Sequence, residues 1–353
     1  MTPYYCIIIL LSIFCVIEQS REFRQYRFVF VGLFVLVLGC FAGFRAYDPD
    51  YYNYQQIYKD IGHGYVEFSD VGFSCLCVLL IYISANPILL FIVVAFFSIF
   101  LNLNSFYKYS PYIGLCILLY FVHNFALKEM IQIRAGLASA LCLYSLRYLP
   151  KKCYKKAFVC LLLAISIQAS SSVFGLVFIL DYIKPTKKYI IGLIVLSLII
   201  GTIKPLGQII KNFTNIGDYS ERAMAYVLYG DTEYAQSLGI WTNINTLKAL
   251  GVCLCLMIYY DTLSKRFIMF KPILLSYVAG VCWLLCFNDF AIIGARMSNI
   301  LMSGESILLS YPCILFSKNS KIFYILFIII IAIIMFNLNI APNKITPYKF
   351  YFQ

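Results

Sequence analysis

Twelve apolar stretches follow one another along this chain, with no interval between them large enough to fold as a soluble domain. They run over 3–17, 28–44, 71–85, 87–103, 112–126, 131–149, 157–180, 189–203, 247–263, 272–287, 297–316 and 322–338. A bilayer-spanning helix takes about 20 predominantly apolar residues, with roughly 17 as the working minimum. The pattern therefore predicts an all-α polytopic membrane protein of about 10–12 transmembrane helices. It predicts one integral membrane domain over 1–353, with outer loops over 45–70 and 204–246. Residues 1–17 lack a basic leader region and a small-residue cleavage site, so they are read as a retained first span.

Composition agrees. Of 353 residues, 62% are hydrophobic and 12% charged, about half the roughly 25% charge of a soluble domain. That balance excludes a soluble enzyme, a disordered chain and a cytosolic nucleic-acid binder. The net charge of +12 reads first as orientation, because short cytoplasmic loops collect Lys and Arg. The 14 cysteines fall mostly inside apolar runs, including Cys75/Cys77 and Cys253/Cys255, where Cys behaves as a small hydrophobe. His63 and His123 are far apart, and no metal-ligand or nucleotide-binding spacing is present. No metal and no cofactor are expected.

Arg21, Arg24 and Arg27 place the first loop inside and the next one, 45–70, outside. Strict alternation of twelve spans would then put the basic loop of Arg147, Lys151, Lys152, Lys155 and Lys156 outside. Two segments resolve this if they are re-entrant. Segment 71–85 is short and ends at Asn86-Pro87. Segment 157–180 has a polar middle, Gln168-Ala169-Ser170-Ser171-Ser172, and basic residues at both ends. Non-helical backbone at membrane depth is tolerated where it lines a cavity.

A few charges stand where charges are costly, at about 2.5–3.5 kcal/mol each on insertion scales. Arg134 opens one span and Arg296 another. Glu305 follows Arg296 by nine residues, about 13 Å along a continuous helix. After the second span comes Gly43-Phe44-Arg45-Ala46-Tyr47-Asp48-Pro49-Asp50-Tyr51-Tyr52-Asn53-Tyr54. This run sets an Arg at the membrane edge beside two carboxylates and a tyrosine cluster. Carboxylates accept hydroxyl protons and aromatic faces stack on sugar rings, so the run suits sugar handling. The outer loop 204–246 contributes Arg222, in Asp218-Tyr219-Ser220-Glu221-Arg222, as a candidate substrate contact. A loop of that length is usually functional or mobile.

On these residues the chain resembles the EpsG/Wzy-like polysaccharide polymerases of bacterial inner membranes. The likeness is carried in order by Gly43-Phe44-Arg45 with Asp50-Tyr51-x-x-Tyr54, then Gln132-x-Arg134-x-Gly136-x-Ala138. The polar break at Gln168-Ala169-Ser170 comes next, and Arg296-x-x-x-Ile300 with Glu305 and Pro312 closes the series. The family usually carries His at the break, where this chain has Gln168. Gln orients a hydroxyl or phosphate but is no base near neutral pH.

The resemblance implies a GT-C-like membrane glycosyltransferase architecture. It implies polymerisation of undecaprenyl-pyrophosphate-linked oligosaccharide repeat units at the periplasmic face of the inner membrane. Membrane lipid and a chain-length regulator are the further partners it implies, with no nucleic acid. The absence of a cytosolic nucleotide-binding domain independently favours a lipid-linked donor. Arg134 and Arg296 are the candidates to hold the departing pyrophosphate, with Arg45 third, because Arg binds phosphate through a planar fork. Asp50 and then Asp48 are the candidates to act as base for, or to orient, the attacking hydroxyl. Tyr51 and Tyr54 would line the site, Gln168 would position an oxygen, and Glu305 would orient Arg296. A lipid-linked glycan flippase and an O-antigen-ligase-like transferase are the competing readings.

Overall fold

The computed structural model describes residues 1–46, 49–65, 70–203, 239–288, 291–340 and 347–352. Among these it contains helices and no strand, the single bridge joining Arg45 to Phe350. This is an all-α multi-pass membrane protein. Hydrocarbon offers the backbone no hydrogen-bond partner, so an apolar run satisfies its own N–H and C=O groups by coiling into helix. The helices are α1 (Thr2–Ile17), α2 (Arg27–Gly43), α3 (Tyr51–Gly62), α4 (Val71–Ile81) and α5 (Ile88–Tyr109). They continue with α6 (Ile113–Tyr120), α7 (Ile133–Ser145), α8 (Tyr154–Ile167), α9 (Gly175–Ile183) and α10 (Lys187–Ile203). The last are α11 (Ile244–Ile258), α12 (Tyr260–Arg266), α13 (Phe270–Cys286), α14 (Ala291–Leu301), α15 (Glu305–Ser310) and α16 (Lys318–Ile340).

Three helices among the described residues are long and apolar enough to cross a membrane: Ile88–Tyr109, Ile113–Ile131 and Asn319–Leu338. A fourth counts if α11 and α12, bent by 73° at their junction, form one span. Other apolar segments are helices of 10–17 residues. The breaks fall at identifiable places. α4 ends before Asn86, whose side chain accepts the Ile88 N–H at 3.0 Å ahead of α5. α8 ends at Gln168 in extended backbone.

Two sequence boundaries differ from the structure. Residues 127–130 read as a gap between spans because of Lys128 and Glu129. In the structure the helix runs on past Tyr120 as a π-helix over Phe121–Ile131, and both charges are buried in it. The gap disappears because Glu129 finds partners on neighbouring helices. Likewise no single helix joins Arg296 to Glu305. α14 ends at Leu301 and a tight turn over Met302–Gly304 intervenes, so the helical rise does not carry across.

The contacts form two compact units. The first comprises Met1–Ser172 with Glu305–Gln353, and the second Val173–Gly304. In the first, α2 and α5 approach closely where glycine leaves room. A Cβ on Gly39 would stand 2.7 Å from the Phe96 ring, and one on Gly43 3.0 Å from the Ile92 backbone. α7 folds back on the π-helix through Gly136, where a Cβ would meet the Lys128 carbonyl oxygen at 2.1 Å. Beyond α1, Glu18 accepts the N–H groups of Ile113 (2.9 Å) and Gly114 (2.7 Å) at the start of α6, with Arg27 at 3.3 Å. This satisfies helix-end donors that would otherwise be stranded. The chain's last described residues return to α2: Ala46 donates to Lys349 and Tyr351 to Phe44, both at 2.9 Å. Tyr348 stacks on Phe41 at 4.2 Å. In the second unit, Asn288 ties α10 to α13 by donating to Gly201 (3.0 Å) and Leu285 (2.8 Å).

Candidate active site

Within the first unit, three interruptions of helix meet around one aspartate. Asp70 immediately precedes α4, Arg134 lies in the first turn of α7, and Ala169 follows the break that ends α8. Arg134 Nη1 donates to Asp70 Oδ2 at 2.6 Å, and the Ala169 N–H donates to Asp70 Oδ1 at 3.1 Å. Both carboxylate oxygens are thus engaged. The guanidinium carbon lies 5.7 Å from the Tyr54 ring centre and 5.6 Å from that of Phe73, close enough for cation–π attraction. The Arg134 side chain keeps 27% of its surface exposed against 11% for Asp70. Ala169 is exposed. The pair is therefore built in from one side and open on the other. α4 and α8 support it through Gly72, where a Cβ would stand 2.3 Å from the Ser166 hydroxyl oxygen.

Tyr54 reaches this site from α3, which begins after Asp50. Burial pushes the Tyr54 phenol pKa up, and the neighbouring Arg134 opposes that shift. The charge of Asp50 also acts on Tyr54, which places it at the margin of the same site. Tyr51 is buried and stacked on Phe91 at 4.7 Å. Gln168 is half-buried, beside Ala169.

Other residues singled out in the sequence lie elsewhere. Arg45 is not at an open membrane edge. It is fully buried, donates to the carbonyls of Ala42 and Met130, and lies 4.7 Å from the Phe91 ring centre. Carbonyls at the ends of α2 and the π-helix solvate this guanidinium in place of water. Glu305 faces His123, its Oε2 at 3.9 Å from the imidazole Nε2. Arg296 belongs to the second unit and is exposed. Asp48 and Arg222 lie outside the described residues.

The sequence reading missed Asp70, Phe73, Lys128, Glu129 and the pairing of His123. Glu129 accepts hydrogen bonds from Tyr120 (2.5 Å), Ser98 (3.0 Å) and Asn102 (3.4 Å). Among the described residues no three His, Cys, Asp or Glu side chains come together as a metal site.

The sequence profile described as the EpsG family matches residues 28–350. The chain belongs to the EpsG family. The match takes in Arg45, Asp50, Tyr54, Asp70, Arg134, Gln168, Arg296 and Glu305. A relative of this EpsG-family chain is the amylovoran biosynthesis protein AmsC of Erwinia amylovora, 24% identical over 374 residues, covering 99% of this chain and 98% of AmsC. No solved structure matches.

Proposed function

We propose that this EpsG-family protein is a polysaccharide polymerase. In this reading it joins oligosaccharide repeat units carried on undecaprenyl pyrophosphate, at the periplasmic face of the bacterial inner membrane. Family membership and the relative named for amylovoran biosynthesis support a role in polysaccharide assembly. The observation that carries the mechanism is the Arg134 guanidinium, fixed by Asp70 beside two aromatic rings yet partly exposed.

When a sugar leaves a lipid pyrophosphate, negative charge builds on the pyrophosphate oxygen. A cation already locked in place stabilises that charge without reorganising as the bond breaks. Arg134 fills this role. Asp50 and Asp48 orient hydroxyls of the incoming saccharide, and Gln168 holds an oxygen beside the Ala169 break. Asp70 acts through Arg134 as a positioning residue. Arg45, enclosed by carbonyls, holds α2 to the π-helix.

The glycan profile of a deletion strain tests the reading. Loss of a polymerase leaves a single repeat unit on the carrier or acceptor. A strain with no repeat unit at the outer face would indicate a flippase instead. Finished polymer retained on the lipid carrier would indicate a ligase.

A further inference from the structure

Two cations from separate parts of the chain meet at one buried ring. The Arg24 guanidinium carbon and the Lys321 ammonium each lie 5.5 Å from the ring centre of Tyr112, within cation–π range. Arg24 belongs to the short helical turn over Arg21–Arg24 ahead of α2, Lys321 to the first turn of α16, and Tyr112 immediately precedes α6. All three fall in the first unit. The ring is held in place, since Tyr112 is 3% exposed and its N–H donates to the Ser110 hydroxyl at 3.0 Å.

The ion pairs among the described residues involve neither Arg24 nor Lys321. Arg24 feels the charge of Glu18 only at longer range, and Glu18 is already occupied. It is buried, accepts the N–H groups of Ile113 and Gly114, and pairs with Arg27. Arg27 is occupied as well, donating to the Ser110 carbonyl at 2.9 Å. Glu22, on the same turn as Arg24, is exposed to water. Two positive charges are thus held near one another without a carboxylate of their own.

The surroundings are apolar. Phe28 and Val29 follow Arg27 directly, Ile322 and Phe323 follow Lys321, and Val16 and Ile17 close α1 just before Glu18. All six side chains are exposed. Cations at the border of exposed apolar helix faces match a molecule that is anionic at one end and apolar along the rest. The loop charges assign this end of the helices to the cytoplasmic side, where the leaflet carries anionic lipid.

We propose that Arg24 and Lys321, seated on Tyr112, bind the phosphate headgroup of an anionic phospholipid, whose acyl chains lie along the exposed faces of α1, α2 and α16. The guanidinium presents a fork of donors to two phosphate oxygens and the ammonium adds a point charge. The ring restricts both side chains beforehand, so less side-chain freedom is lost on binding. This separates the site from the loop of Lys151, Lys152, Lys155 and Lys156, whose exposed side chains attract anionic lipid by charge alone. The site goes beyond glycan transfer and does not depend on the polymerase reading.

The test uses the full chain in detergent, titrated with phosphatidylglycerol or with phosphatidylcholine of the same acyl chains. Bound lipid is counted by native mass spectrometry. Phosphatidylglycerol is expected to bind at least tenfold more tightly. Arg24→Gln combined with Lys321→Gln weakens that binding about 30-fold, and Arg24→Gln alone about fivefold. Tyr112→Leu, which keeps both cations, weakens it severalfold. Lys155→Gln combined with Lys156→Gln stays within about twofold of wild type. If the double variant does not accumulate as folded protein, Arg24→Gln alone decides, because its side chain stands on an exposed turn. Equal affinity for the two lipids, wild-type binding in the Arg24 or Tyr112 variants, or an equal loss from the Lys155 pair overturns the site. Displacement of the lipid by inorganic phosphate at the same concentration would indicate an adventitious ion only, and overturns a phospholipid as its occupant.

Discussion

Asp70 holds Arg134 with one carboxylate oxygen, at 2.6 Å, and the backbone of Ala169 with the other, at 3.1 Å. One side chain thereby fixes the start of α7 and the break after α8 in a single register. Converting Asp70 to Asn removes the charge but keeps the shape. Breaking a fully buried ion pair costs about 3–5 kcal/mol, and the partial exposure of Arg134 moves the expected cost to the low end of that range. Asp70→Asn should lower polymer yield at least tenfold while the protein still accumulates. Asp70→Glu should recover less than half of the activity. Product ladders from both variants, normalised to membrane protein, check this.

Arg45 illustrates a different use of the same side chain. Its guanidinium reaches two carbonyls on separate helices, Ala42 and Met130. Lysine has one donor centre and cannot span both with fork geometry. Arg45→Lys should destabilise the protein by about 2–4 kcal/mol, in the range for an unsatisfied buried polar group. A thermal-melt measurement in detergent should show the loss, with activity per folded molecule largely kept. A large fall in activity without a fall in melting temperature would place Arg45 in the binding site instead.

Gly136 makes the turn-back of α7 against the π-helix possible. A Cβ there meets a backbone oxygen at 2.1 Å, a clash that no side-chain rotation relieves. Gly136→Ala should cost about 1–3 kcal/mol by overpacking and displace Arg134, two residues earlier. Gly192→Ala, where nothing lies within 4 Å, should leave both stability and product unchanged. Parallel melts and product ladders of the two variants check the contrast.

The membrane class and Arg134 were legible in the sequence for one physical reason. Where only 12% of residues are charged, an arginine opening an apolar run must have a partner or a purpose. Asp70 was not legible. An acid at the junction of loop and span looks solvated, and its partners lie 64 and 99 residues away. Lys128 and Glu129 misled the boundary reading, because charge in the sequence resembles a loop. Their burial depends on Ser98 and Asn102 from α5 and on the widened π turn. Arg45 was seen but set in the wrong surroundings, since carbonyls contributed by a distant segment do not register in a local pattern. The polar break at Gln168 was read correctly as an interruption, because a Gln followed by a run of small polar residues does not sustain an apolar helix.

The central claim is that Arg134 stabilises the pyrophosphate as it leaves. The measurement that tests it most directly is the length distribution of the glycan made in a deletion strain complemented with Arg134→Ala, at membrane protein levels equal to wild type. The account predicts a collapse of the ladder to single repeat units, with Arg134→Lys restoring only short chains. A wild-type ladder from Arg134→Ala would contradict it.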